Sequence, residues 1–191
     1  LSSVVRPAGL ACPSGAQSTY YNSDGRVELE VDENGNRTRY AYTSLGRLQQ
    51  KETGETATGD LSQRQITRFY WNASETHITS IREYGPSLAA ADWIQETAYV
   101  YYAANDALGR GHLLQSVTTF DRTAAAAPDR TVSYDYTFHP NNTVHQYWVD
   151  GPLPGTADRT SYEYSSLGNL TKVTNGLGHE VTYSNYTALG D

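Results

Sequence analysis

The chain has 191 residues and a net charge of −7, from 14 Lys and Arg against 21 Asp and Glu. No stretch approaches the roughly 18 consecutive apolar residues that span a bilayer. An acidic chain without a basic cluster repels a phosphate backbone. We therefore expect neither membrane insertion nor nucleic acid as a partner. The lack of Met predicts a piece of a longer protein.

The residue composition favours β-structure. The chain has 16 Tyr against 3 Phe and 3 Trp. Tyr and Thr fit a pleated, half-buried surface well. The sequence therefore predicts an all-β fold before any pattern is considered.

A repeated pattern of tyrosines and glycines covers most of the chain. YYNSDGRV at 20–27 recurs as YAYTSLGRL at 40–48, as YEYSSLGNL at 162–170 and, cut short, as YSNYTALG at 183–190. Looser copies surround residues 70, 100 and 135, and a second glycine follows the first by ten residues in two units. The positions that define the repeat are Tyr20, Gly25, Gly35, Tyr40, Tyr42, Gly46, Gly109, Tyr162, Tyr164, Gly168, Gly178, Tyr183, Tyr186 and Gly190.

Each repeat predicts an antiparallel β-hairpin. Gly46 stands where a type I turn ends in a left-handed residue, a conformation that favours glycine. In the first unit we expect Asp32 to pair with Arg37, which places Leu29 opposite Tyr40 and Glu30 opposite Arg39. One face of the hairpin is then apolar and the other charge-complementary.

Longer connections separate some of the hairpins. We expect surface loops at 53–60, 85–92, 124–128 and 151–158, and a helical turn within 88–93. Residues 1–191 are expected to form one repeat segment. Residues 1–19 would be a preceding strand and loop, and residues 20–191 the repeats.

The Tyr-x-Tyr-x-x-x-Gly-Arg-Leu pattern resembles the YD repeat of the Rhs family, which includes bacterial Rhs toxins, Tc toxin components and teneurins. This chain has Asn22, Thr43, Thr137, Ser165 and Thr187 where the family usually has Asp. Ser and Thr also bond back to a turn backbone, so the hairpin prediction stands. The resemblance implies tandem hairpins in a curved or spiral sheet. It also implies a shell that encloses a C-terminal toxin or effector, and secretion or display at a cell surface.

Metal binding and catalysis find little support in the sequence. His139 and His145 are close enough in sequence to meet across a turn, but zinc normally takes at least three protein ligands. Residues 32–36 have incomplete spacing for a calcium loop, and a hairpin turn explains them better. Cys12 has no neighbouring His. We predict no catalytic residues, no metal and no cofactor.

Exposed aromatic side chains are the strongest functional lead. Sugars stack on aromatic rings, and the candidate platform consists of Trp71, Trp93, Trp148, Tyr70 and Tyr147. The alternative function is therefore carbohydrate binding or cell-surface adhesion, although such aromatics more often pack between hairpins.

Two weaker features bear on export and assembly. Five Asn-x-Ser/Thr sequons weakly favour an exported protein. They are at Asn36, Asn72, Asn141, Asn169 and Asn185. Unpaired terminal strands predict self-association of the chain on its own.

Overall fold

The computed structural model describes residues 3–6, 17–123 and 128–186. Cys12, Thr187, Gly190 and the predicted loop at 124–127 lie outside these residues. The strands are β1 (Ser3–Arg6), β2 (Gln17–Tyr21), β3 (Val27–Val31), β4 (Arg37–Tyr42), β5 (Leu48–Glu55), β6 (Gln65–Trp71), β7 (Ile78–Tyr84), β8 (Trp93–Tyr101), β9 (Leu114–Asp121), β10 (Arg130–Phe138), β11 (Val144–Asp150), β12 (Thr160–Tyr164), β13 (Leu170–Thr174) and β14 (Glu180–Thr182).

The strands follow one another in the sheet in the order of the sequence. Each registered pair is antiparallel, as in β3–β4 and β12–β13. Tandem hairpins are thus confirmed. The predicted helical turn is a 3-10 turn at Ala90–Asp92. No described helix is long and apolar enough to cross a bilayer.

The chain divides into two compact units. The first comprises Leu1–Thr97 and Phe120–Ala127, and the second Ala98–Thr119 and Pro128–Asp191. Each unit is a set of residues with most of its contacts inside the set. The single repeat segment at residues 1–191 stays a prediction.

The same pair of backbone hydrogen bonds closes several of the hairpin loops. The Thr43 backbone N–H donates to Arg47 O at 2.8 Å, and Gly46 N–H donates to Thr43 O at 2.9 Å, with Gly46 at φ 83°. Five strands end in an aromatic residue where the register shifts by one, and the next residue opens the loop. The aromatic residues are Tyr21, Tyr42, Trp71, Phe138 and Tyr164.

Residues that open these loops also cap them. The Asn22 side-chain oxygen accepts the Arg26 N–H at 3.0 Å, and Thr43 Oγ1 accepts the Arg47 N–H at 3.2 Å. Ser165 Oγ accepts the Asn169 N–H at 3.2 Å. The prediction that Ser and Thr replace Asp in bonding to the turn is therefore confirmed at positions 43 and 165. It is wrong at Thr137, which lies within β10 with its hydroxyl buried and without a hydrogen-bond partner, because His139 opens that loop.

The predicted register of the first hairpin is wrong by one residue. Val31 pairs with Arg37, and Leu29 pairs with Arg39. Asp32 closes the turn with Asn36, since its N–H donates to Asn36 O at 2.9 Å. The loop has three residues and a bulge, which uses one residue fewer than the four-residue turn expected.

The corrected register rearranges the charges of the first hairpin. Tyr40 Oη donates to Glu30 Oε2 at 2.7 Å. Glu55 on β5 accepts from both Arg37 and Arg39, each at 2.7 Å. The predicted loop at 53–60 also starts later, because β5 continues to Glu55. The arginines of β4 therefore pair with β5 rather than with β3.

Few side chains of the described residues are fully buried. The buried hydrophobic ones are Ile66 and Tyr84, with 2% and 7% of their surface exposed, and the buried polar ones are Ser80 and Glu96. Most strand residues are half-buried. Stability therefore depends on contacts between neighbouring strands more than on a closed core.

Candidate functional site

One face of the second unit carries a row of tyrosines on adjacent strands. Tyr136 pairs with Tyr147, which in turn pairs with Tyr162. The ring centroids lie 5.2 Å apart for the first pair and 5.7 Å for the second. Tyr134 stacks on Tyr147 at 6.2 Å. We call Tyr134, Tyr136, Tyr147 and Tyr162 the tyrosine row.

Two members of the tyrosine row, Tyr136 and Tyr147, have raised pKa values. Partial burial disfavours a phenolate, and neighbouring tyrosines add to the effect, so the pKa of Tyr147 rises to about 12. The pKa of Tyr136 is raised for the same reasons. The row borders an open recess of about 570 Å³ that Val144 and Tyr164 also line. The surface is suited to contact with a largely apolar chain.

The opposite face of β10 and β11 carries a polar cleft of about 440 Å³. Because side chains alternate along a strand, Trp148 points away from the face of its neighbour Tyr147. Trp148 pairs with Asp135, and Asp150 pairs with Ser133. The cleft is lined by Tyr102, Gln115, Ser116, Thr131, Ser133, Asp135, Trp148, Asp150 and Arg159, and also by Tyr134 of the tyrosine row, whose backbone oxygen accepts from the Tyr102 hydroxyl at 2.9 Å.

The charges of the polar cleft are paired. Asp135 accepts from Arg110 at 2.8 Å, and Arg159 contacts Asp150 at 3.0 Å. The other carboxylate oxygen of Asp150 and the Arg159 Nε are buried without a hydrogen-bond partner. A polar ligand that both accepts and donates would satisfy these two atoms.

Arginines stack on the candidate aromatics of the first unit. The Arg82 guanidinium lies 4.6 Å from the Tyr70 ring centroid and 4.8 Å from that of Trp93, and Arg122 lies 4.7 Å from the latter. Buried Glu96 accepts from Arg82 Nε at 3.0 Å. These contacts occupy ring surface that a sugar would need.

Trp71 is also engaged within the sheet. Its indole N–H donates to Leu48 O at 2.9 Å, and the Arg47 guanidinium lies 5.6 Å from its ring. Of the five candidate aromatics, only Trp148 lines a cleft of mixed polar and aromatic character. The cleft could not be found from the sequence, because strand pairing joins Asp135 to Trp148 and a side-chain hydrogen bond to Tyr134 O brings in Tyr102.

The structure brings His139 and His145 together, with ring centroids 4.6 Å apart. Within residues 17–123 and 128–186, no three His, Cys, Asp or Glu side chains are grouped as metal ligands. The oxygen Oδ1 of Asp32 accepts the Asn34 and Asn36 N–H groups at 2.9 and 2.8 Å. A turn, as predicted, accounts for this acidic segment.

The consecutive antiparallel strands and the repeated turns define a tandem β-hairpin repeat protein. Residues 21–59 match the family model described as RHS Repeat. The chain therefore carries an RHS repeat, and the resemblance to the Rhs/YD-repeat family is confirmed. Its role at this level is that of an Rhs-type structural segment.

Solved toxin structures are similar to the chain over 88% of its length. One is the Photorhabdus luminescens Tc holotoxin pore with a mutation in TccC3, at 16% identity and a TM-score of 0.39. Another is TcdB2-TccC3-TEV, at 17% identity and a TM-score of 0.36. The alignments cover 9% of either solved chain. Since both TM-scores are below 0.5, the confirmation rests on the family model. No curated protein matches the chain.

Proposed function

We propose that the chain is a non-catalytic wall segment of a larger Rhs shell, exported from the cell, that encloses a C-terminal effector. The observation that supports this most is the tyrosine row. Three strands present aligned rings, with centroids 5.2 and 5.7 Å apart, on a face that is only half-buried. Exposed apolar faces of this kind mark contact surfaces.

Tyrosine suits a wall that touches a polypeptide without reading its sequence. Its ring supplies large contact area at low conformational cost, and its hydroxyl adapts to polar groups. A phenol ordinarily titrates near pH 10, and the raised pKa values of Tyr136 and Tyr147 keep these two rings neutral to still higher pH. An enclosed chain of either charge would then meet no repulsion from the row itself.

Limited proteolysis of the longer protein tests the proposal. We expect the segment after the repeats to resist protease while the sheet is folded, and to become cleavable when the repeats are destabilised by Gly46→Val. Leu45→Val in the same turn is the control and should preserve protection. Rapid cleavage of the C-terminal segment in the unmodified protein would contradict enclosure.

Carbohydrate binding is a second candidate, and the polar cleft is the observation that favours it. The Trp148 ring and Asp135 line it together, and Asp150 has an unpartnered buried oxygen. Sugars stack on aromatic rings and hydrogen-bond to planar polar groups. Because the cleft's Asp135 and Asp150 are paired with arginines, we expect neutral sugars to be preferred.

A panel of neutral oligosaccharides, with binding followed by tryptophan fluorescence, tests this second candidate. Trp148→Ala should abolish any binding, whereas Trp71→Phe should leave it unchanged. Lack of binding to the whole panel, or binding that survives Trp148→Ala, would remove the candidate. Neither result bears on enclosure, which concerns the other face.

A further inference from the structure

His139 departs from the loop chemistry of the other repeats. In the equivalent position, the side-chain oxygens of Asn22, Thr43, Asn72 and Ser165 accept N–H groups of their own loops. The His139 ring instead leaves its loop, and Nε2 lies 2.8 Å from Tyr164 O at the end of β12. The turn therefore does not account for this side chain.

The bond to Tyr164 fixes which nitrogen of His139 carries the proton. A backbone carbonyl only accepts, so Nε2 must donate and Nδ1 keeps the lone pair in the neutral ring. Histidines that bind metals commonly donate their other ring N–H to a backbone carbonyl in this way, which orients the ring and fixes the tautomer. His139 thus has the hydrogen bonding of a metal ligand.

The spacing of the two rings fits one metal ion. A metal lies about 2.0–2.1 Å from an imidazole nitrogen, and hence roughly 3.2 Å from the ring centroid. Two such rings at adjacent corners of a square have centroids about 4.5 Å apart, against about 5.2 Å at a tetrahedral angle. The observed separation for His139 and His145 is 4.6 Å. This separation brings the two rings within reach of one ion.

We propose that His139 and His145 form a two-imidazole chelate for Cu²⁺. Square-planar nitrogen coordination is typical of Cu²⁺, which also binds such ligands more tightly than Ni²⁺ or Zn²⁺. Within the described residues no third His, Cys, Asp or Glu joins the pair, so water completes the coordination. Zinc normally takes three or more protein ligands and is the poorer ion for this site.

The chelate would tie the β10–β11 turn together. His139 opens the turn and also contacts β12 through Tyr164, whereas His145 lies on β11. An ion that binds only the folded pair stabilises the fold in proportion to its concentration relative to the dissociation constant. Cu²⁺ should therefore raise the melting temperature of the chain.

Calorimetric titration of the untagged chain with Cu²⁺, and thermal melts with and without it, test the proposal. We expect His139→Gln and His145→Gln each to weaken Cu²⁺ binding at least about tenfold, which corresponds to about 1.4 kcal/mol, and to remove the melting shift. His179→Gln is the control and should change neither. Zn²⁺ should bind more weakly than Cu²⁺.

Three titration results would overturn the chelate. Cu²⁺ affinity that is unchanged in either variant would remove it, as would loss of binding in His179→Gln or tighter binding of Zn²⁺. His145 is exposed, so His145→Gln should fold even if His139→Gln does not. Electron paramagnetic resonance of the Cu²⁺ complex adds an independent readout, and a spectrum without nitrogen coupling would contradict the proposal.

Discussion

The ring of Tyr147 stacks on the ring of Tyr162 across the β11–β12 pair, with 5.7 Å between centroids and 29° between planes. The next residue, Trp148, faces the other side of the sheet and lines the polar cleft. Two neighbouring residues thus belong to two different candidate surfaces. This alternation allows the two surfaces to be tested separately.

The tyrosine row predicts a loss of stability in alkali. The pKa of Tyr147 is about 12 in the folded chain, against about 10 in an unfolded one. Its neutral phenol therefore contributes stability fully below pH 10, and this contribution is lost as the pH rises through 12. Tyr147→Phe keeps the ring and should make the loss between pH 10 and 12 shallower.

Urea unfolding at a series of alkaline pH values measures this effect. A residual slope should remain, because the pKa of Tyr40 is also raised to about 12, first by burial and then by its hydrogen bond to Glu30. Tyr183→Phe, at an exposed position, should follow the unmodified chain. Equal slopes for Tyr147→Phe and the unmodified chain would contradict burial of this phenol.

Glu55 predicts a loss of stability in acid. Hydrogen bonds from Arg39 and Arg37 lower its pKa to about 2, so its carboxylate stabilises the fold above the ordinary pKa near 4.5. That contribution is lost as the pH falls from 4.5 through 2. Glu55→Gln should be less stable than the unmodified chain at pH 7 and should lose less stability over this range.

Chemical denaturation at pH 7, 4 and 2 measures the contribution of Glu55. Glu33→Gln, in the exposed turn after Asp32, serves as the control and should retain the acid dependence. If Glu55→Gln retained the full acid dependence as well, the pairing of Glu55 with two arginines would be wrong.

A side chain at position 46, in the turn between β4 and β5, should lower the free energy of unfolding. The φ of Gly46 is 83°, and a β-carbon built there would collide with the Arg26 guanidinium. Gly46→Val should cost about 1–3 kcal/mol of unfolding free energy, equivalent to roughly 2–12 °C in melting temperature. Leu45→Val introduces the same side chain at the exposed neighbouring position, and its melt should stay close to that of the unmodified chain.

The hairpins could be predicted because their signals are local. An aromatic strand end, a capping side chain and a glycine three residues later fix turns such as that of Tyr42, Thr43 and Gly46, whereas Glu75 and Asn142 take the left-handed position in two other loops. The register of the first hairpin was not predictable by counting, because the loop closed by Asp32 and Asn36 has one residue fewer than expected. A one-residue error exchanges the faces.

The candidate surfaces were less accessible to sequence reasoning than the turns. In the polar cleft, the pairing of β10 with β11 joins Asp135 to Trp148, and a hydrogen bond from the Tyr102 hydroxyl to Tyr134 O at 2.9 Å adds Tyr102. No local pattern connects these residues. The arginines stacked on Trp93 come from β7 and the segment after β9. Charge composition alone gives no indication of such contacts.

The outermost described strand predicts self-association. β14 pairs with β13, and its three residues, including Val181 with 55% of its surface exposed, face solvent. Exposed strand edges invite pairing with another chain. We expect light scattering at tens of micromolar to show oligomers, and Val181→Lys to reduce them. A strictly monomeric chain that binds no apolar dye would show that the edge is protected.

Site-specific photo-cross-linking in the longer protein tests the enclosure proposal most directly. A photoreactive phenylalanine would replace Tyr147 in one variant and Trp148 in the other, so that the probes lie next to each other on opposite faces. We expect cross-links from position 147 to the segment that follows the repeats, and none from position 148. Cross-links to that segment from position 148 alone, or from neither position, would contradict a tyrosine-lined wall around an effector.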